Sequence, residues 1–217
     1  MTMTRKYYLG SVAVILAILV SIIVAYPELP RSIPLHWDAH GQPNGWGPKW
    51  SLFFWGPGVM TLLLLLFAAL PWLSPKQFEV DSFRSTYLYI MVVMMAMMGY
   101  INLLVLAAGL GIVLDISRAI LGGIGLLVAL LGNVLGKVRR NFYIGVRTPW
   151  TIANEQVWNA THRFAAKTFF AGGLIALLLA VFGGSFWLAF AAILTGAFIP
   201  AVYSLIFYKQ LERRDGL

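Results

Sequence analysis

Three polar side chains, His36, Asp38 and His40, alternate in the segment PELPRSIPLHWDAHGQPNGWGPK, residues 27–49. In extended backbone, side chains at i, i+2 and i+4 share one face, and two imidazoles with a carboxylate are zinc-ligand chemistry. A tetrahedral site wants further support, and the chain has no HExxH helix. Polar side chains that hold a turn and cap backbone groups therefore outweigh a metal site, and no cofactor is expected. Three prolines before His36 impose extended backbone, while Gly41, Pro43, Asn44-Gly45 and Gly47-Pro48 are turn signals. This segment reads as an ordered, turn-rich cap that ends near Lys49.

A second polar segment, KVRRNFYIGVRTPWTIANEQVWNATHRFAAK, covers residues 137–167. Between Asn141 and Trp150 it packs Tyr143, Gly145, Arg147, Thr148 and Pro149 together, with Arg147 suited to hold a carboxylate or phosphate by a bidentate bond. Thr151 as a cap and Glu155 in the first turn predict a helix from about Ile152 that runs into the next apolar stretch. On it Glu155, Trp158 and His162 fall at i, i+3 and i+7, beside Val157, Phe164 and Ala165, the pattern of an amphipathic helix on a membrane surface. A helix start beside an arginine is an anion site or a protein-docking surface.

The elements that must position these loops follow from composition. Of 217 residues, 60% are hydrophobic and 11% charged, about half the charged share of a soluble chain. Uncharged stretches run over residues 7–26, 51–73, 85–114, 119–136 and 168–208, each long enough for the roughly 18 to 20 residues of a membrane-crossing helix. The last holds 41 residues, about 60 Å as one helix and twice a hydrocarbon core, so it must fold back near Gly183-Gly184-Ser185. The expectation is an all-α polytopic protein forming one membrane domain, with six spans near 7–26, 51–73, 86–110, 119–136, 165–182 and 186–207. An outer loop at 27–50 and an inner loop at 137–167, the latter with an interfacial helix before span 5, complete it.

Orientation follows from lysine and arginine. With the N-terminus inside, thirteen of the 16 lie in cytoplasmic segments and only Arg31, Lys49 and Arg118 outside, so both termini are expected in the cytoplasm. The net charge of +8 then reflects attraction to anionic membrane lipids, not direct nucleic-acid binding. The chain contains no cysteine, which excludes a disulfide-stapled secreted domain. Its first apolar run exceeds a secretory h-region and lacks a small-x-small cleavage site, so a retained anchor is expected. Within the spans Asn102 and Asn133 are expected to bond between helices, the methionines from Met91 to Met98 to pack, and Gly122, Gly123, Gly125, Gly172 and Gly173 to let helices approach closely. Tryptophans and tyrosines near the span ends read as interfacial anchors.

At the two loops the sequence resembles the SdpI family. IPLHWDAHGQPNGWGPKW is similar to that family's outer region, an Ile-Pro-x-His start followed by a Gly-x-Pro-(Asp or Asn)-Gly turn and a lysine; NFYIGVRTPWTIANEQVWNATHR resembles its inner Asn-x-x-x-Gly-x-Arg-Thr-Pro-Trp-Thr run with a following Trp and His. Asp38 stands where the family commonly has asparagine, and His40 where a small or polar residue is expected. The resemblance implies an immunity protein of the bacterial cytoplasmic membrane that resists an SDP-type peptide toxin at its outer face, and in one branch recruits a cytoplasmic repressor. It carries His36, Gly41, Pro43 and Lys49 over to the outer region, and Asn141, Gly145, Arg147, Thr148, Pro149, Trp150, Thr151, Trp158 and His162 to the inner one; Asp38 and Asn44 join the outer set as candidate ligand-binding residues. Two other classes stand beside it: an exporter or flippase for an amphipathic peptide or lipid, and a membrane metalloenzyme built on His36, Asp38 and His40. The sequence leaves the oligomeric state open.

Overall fold

The computed structural model describes residues 3–215. Helix α1 (Met3–Ala25) leads to a hairpin of β1 (Ser32–Trp37) and β2 (Pro43–Pro48). A helical turn, α2 (Ser51–Phe53), continues through a wider turn at Phe54–Gly58 into α3 (Val59–Leu73). Then come α4 (Arg84–Gly109), α5 (Ile116–Leu135), the short α6 (Pro149–Ala153), α7 (Glu155–Val181) and α8 (Phe186–Asp215). Among the described residues, six helical segments are long and apolar enough to cross a membrane, in agreement with the count of spans from sequence. Helix is the form lipid permits, because every backbone donor and acceptor is then paired within its own segment. Residues 84–109 form one helix without a break, and the 41-residue apolar stretch turns at Gly183, whose φ of +76° suits glycine.

To the all-α bundle the outer loop adds a two-stranded antiparallel sheet, which the sequence did not suggest. The prolines impose extended backbone as expected, but pairing arises only because the turn at residues 38–42 brings the two arms together.

The second span bends at Gly56-Pro57. Proline has no N–H to give the helix, and Gly56 leaves helical geometry with ψ −105°. A Cβ on Gly56 would lie 2.4 Å from Asn102 Oδ1, so the bend seats the Asn102 side chain. Asn102 Nδ2 donates to the Met98 carbonyl of its own helix at 2.9 Å, and Asn133 faces outward on α5. Neither asparagine therefore ties two helices by a hydrogen bond, as the sequence had suggested. An asparagine can reach the carbonyl four residues back in its own helix, and it needs no second helix to be satisfied.

Two packing regions organise the bundle. Ile15, Ile18, Ile22, Met60 and Met95 join α1, α3 and α4. Phe67, Tyr87, Met91, Val134, Val138 and Trp158 join α3 and α4 to the loop after α5 and to the start of α7. The methionines fill irregular gaps here, as expected. Helices α5, α7 and α8 approach almost backbone to backbone: a Cβ on Gly173 would sit 2.4 Å from the Ala129 nitrogen, and one on Gly172 2.5 Å from the Ala192 oxygen.

Gly173→Ala should consequently force α5 and α7 apart and destabilise the protein by about 2 kcal/mol or more. Gly10→Ala, on a helix surface with nothing within 4 Å, should be neutral or stabilise by up to about 1 kcal/mol. Thermal unfolding of the two variants in detergent checks this; equal melting temperatures would contradict the packing argument.

Candidate functional site

The outer hairpin is fastened at both ends. At its base Lys49 donates through Nζ to the carbonyls of Tyr26 and Leu29, at 2.9 and 3.0 Å, and its ammonium lies 4.4 Å from the centre of the Tyr26 ring. These carbonyls belong to the tight turn that follows α1, where the Tyr26 oxygen otherwise accepts only a long 3.4 Å bond from the Leu29 N–H. At its tip Asp38 Oδ1 accepts from the backbone N–H groups of His40 and Gln42, at 2.8 and 2.9 Å, an aspartate turn. Gly41 completes it with φ +78°. Ser117, on the first turn of α5, donates to the Asp38 carbonyl at 2.7 Å. Ile33 buries its side chain fully beneath the hairpin, against Gly109 of α4.

His36, Asp38 and His40 thus do not converge. His36 Nδ1 lies 2.5 Å from Asn44 Oδ1 across the strands, Asp38 holds the turn, and His40 is exposed. Among the described residues no group of three or more His, Cys, Asp or Glu side chains is placed to hold a metal. The shared-face argument fails because the strand ends at Trp37, so period-two alternation stops before Asp38. His36, Asn44 and Trp46 remain exposed on the hairpin, Pro43 stands at the end of β2 opposite Trp37, and Trp50, Phe54 and Trp55 continue an exposed aromatic strip at the start of the second span.

The inner loop is a clasp closed by α7. Asn141 is fully buried. Its Nδ2 donates to the carbonyls of Arg139 and Ile144, and its Oδ1 accepts from the N–H groups of Tyr143 and Ile144, all within 3.0 Å, which uses the whole capacity of the amide. Trp158 donates through Nε1 to the Val138 carbonyl at 2.8 Å. Its ring stacks on His162 with centres 4.0 Å apart. His162 Nε2 accepts the Val146 N–H at 3.0 Å, so that nitrogen carries no proton, and Nδ1 donates to the Trp158 carbonyl at 2.9 Å. Gly145 lies directly on the imidazole: its φ is +117°, and a Cβ there would be 2.2 Å from Nε2. Only glycine fits between loop and ring.

Thr148, not Thr151, is the N-cap. Thr148 and Thr151 form a reciprocal capping box around Pro149 and Trp150, and the Thr151 hydroxyl also donates to the Val146 carbonyl. Asn154 then caps α7, accepting from Gln156 and Val157, with Glu155 exposed in the first turn. The Asn154-Glu155 pair carried that signal in the sequence. Ser204 of α8, 3.0 Å from the Thr148 hydroxyl, had no sequence signal, since 56 residues separate the two.

The expected surface helix is therefore corrected. Residues 155–167 continue unbroken into the apolar part of α7, and Trp158 and His162, 0% and 1% exposed, face the protein. Their polar nitrogens find loop or helix backbone, so this side of the helix covers the clasp and not lipid. Arg147 is exposed and donates to the Phe142 carbonyl. Beside it Phe142 packs on Phe78, over which the Arg140 guanidinium also lies.

A bundle of six apolar helices carrying one tightly built polar structure at each of two loops defines a polytopic membrane protein whose loops are structural units in themselves. The family model described as the SdpI/YfhL protein family matches residues 137–204, from the clasp through most of α8. A domain of unknown function (DUF1648) matches residues 12–61, which take in the hairpin and the bend. The immunity protein SdpI of Bacillus subtilis (strain 168) is 30% identical over 210 residues, 96% of this chain and 98% of that protein. The chain belongs to the SdpI family. No solved structure matches it.

Two outcomes follow. His162→Ala leaves the half-buried Val146 N–H without its partner and should cost about 1 kcal/mol or more, with Gly145→Ala opening the same loop; limited proteolysis should cut both variants within residues 137–154 faster than the parent, and equal cutting would refute the clasp. At the hairpin tip, the backbone N–H of Gln42 foremost, with that of His40, holds the Asp38 carboxyl below its ordinary value of 3.8. Its contribution is thus complete above that value and fades as pH falls from 3.8 through the lower folded one. Protection of the Gln42 amide from exchange, relative to its intrinsic rate at each pH, should hold at pH 5 and fall only in stronger acid, a fall that Asp38→Ala should produce at neutral pH.

Proposed function

We propose that this protein is a non-enzymatic immunity protein of the bacterial cytoplasmic membrane, with both termini inside, and that it protects its cell from a membrane-active peptide toxin of the SDP type. The observation that carries this reading is similarity to a protein named for immunity across 96% of the chain, both built loops included. The bias of lysine and arginine supports the orientation, placing the hairpin outside. There His36, Asn44 and Trp46, with the aromatic strip from Trp50 to Trp55, offer rings and polar edges at the level where an amphipathic peptide enters a bilayer. Lys49, Asp38 and Gly41 support that surface by holding the hairpin in place.

On the cytoplasmic side the clasp exposes Phe142, Arg147, Pro149 and Glu155. In this reading a repressor protein docks on that surface, and α7 is the rigid element that joins it to the membrane interior. A second reading has one specific observation in its favour: an apolar groove of about 550 Å³ opens sideways between α4, α5 and α7, a path by which an amphipathic peptide or lipid would be moved between leaflets.

The test is survival of a toxin-sensitive bacterium producing the protein, exposed to a panel of SDP-type peptides. Protection is expected from the parent, at least tenfold less of it from His36→Ala combined with Trp46→Ala at equal membrane level, and wild-type protection but no repressor recruitment from Arg147→Ala. Killing of well-expressing cells across the panel, together with accelerated lipid exchange between leaflets of reconstituted vesicles, would transfer the conclusion to the transport reading.

A further inference from the structure

We infer that a second groove, between the ends of α5, α7 and α8 nearest the clasp, is a binding site for an anionic phospholipid. It encloses about 540 Å³ and is lined by Arg163, Phe164 and Lys167 of α7, Tyr203 and Phe207 of α8, and Gly136 just past α5. Arg163 and Lys167 are one helical turn apart on the same face, about 6 Å along the axis. Both are exposed, and neither belongs to the three ion pairs of the described residues, Arg84–Asp81, Arg118–Asp115 and Lys209–Glu212. Phe164 stacks on Tyr203 with centres 4.6 Å apart, and Tyr203 on Phe207 at 5.8 Å, so a continuous aromatic wall faces the two cations.

The position of the groove along the helices selects the ligand. Lys167 is the last charge on α7 before 41 uncharged residues, and that stretch ends on α8 at Tyr208, one residue after Phe207. Both helices therefore pass from charged to apolar surface at the groove, which straddles the boundary between water and hydrocarbon. A ligand filling it must be anionic at one end and apolar at the other. A phospholipid meets this with its phosphate on Arg163 and Lys167 and its glycerol and upper acyl carbons against the aromatic wall; basic pockets between helices at a membrane surface hold anionic headgroups in this way. A free phosphate would leave the wall in contact with water. Gly136 leaves the space open, since a Cβ there would meet nothing closer than 3.7 Å.

The test uses the purified full-length protein in detergent, with phosphatidylglycerol and phosphatidylcholine of identical acyl chains, read by native mass spectrometry. The parent should retain phosphatidylglycerol about tenfold more than phosphatidylcholine, and excess inorganic phosphate should not displace it. Arg163→Gln combined with Lys167→Gln should abolish the preference, Gly136→Leu should lower retention with both cations present, and Arg139→Gln, outside the groove, should change nothing. The exposed charge variants keep the fold independent of the result, and monodisperse elution confirms it for Gly136→Leu. A preference that survives the double substitution, parent-like retention by Gly136→Leu, an equal loss in Arg139→Gln, or displacement by phosphate would each overturn the site.

Discussion

Helix α7 is the member on which the rest depends, because it is packed on two sides by backbone and at one end by a loop. Gly172 and Gly173 let α8 and α5 come so near that no side chain fits between them. Lipid tails are as apolar as leucine, so helices in a bilayer gain little from hiding apolar surface from one another, and close van der Waals approach takes that role. The same helix carries Trp158 and His162 beyond the apolar core and offers their nitrogens to Val138 and Val146. A displacement of α7 would break helix packing and loop closure together.

The two polar structures solve one physical problem in different ways. A chain that leaves a helix carries unpaired carbonyls, and a loop that turns back on itself carries unpaired N–H groups. Outside the helices, Lys49 satisfies the carbonyls after α1 with a single flexible ammonium, and Asp38 satisfies the turn with one carboxylate. In the clasp, Asn141 does both tasks at once with four hydrogen bonds, and His162 supplies the acceptor that Val146 lacks. Family motifs of polar residues can therefore be structural at most positions while leaving a few side chains, such as His36, Trp46 and Arg147, exposed.

This division also explains why the motif residues read as chemistry in the sequence. Arginine, histidine and aspartate at short spacing look like ligands or catalysts when no other partner is visible. His162 has both ring nitrogens engaged within the fold, and Asp38 is occupied by its own turn. The groups that satisfy them are backbone N–H and C=O, which every residue possesses and which no sequence pattern distinguishes.

The linear sequence by itself determined the membrane class and the six spans, because hydrocarbon thickness sets a length that composition either meets or does not. It also determined the fold-back at Gly183 and the extended, turn-rich nature of the outer segment, since glycine and proline act on their own backbone. Tertiary structure alone decided which strands pair, that the hairpin tip is held by α5, that Asn102 sits against Gly56, and that Trp158 and His162 face a loop and not a lipid surface. Those choices rest on contacts between residues far apart in the chain, such as Asp38 with Ser117. Periodicity places a side chain on a face of its helix, but what that face meets depends on where the other helices come to rest.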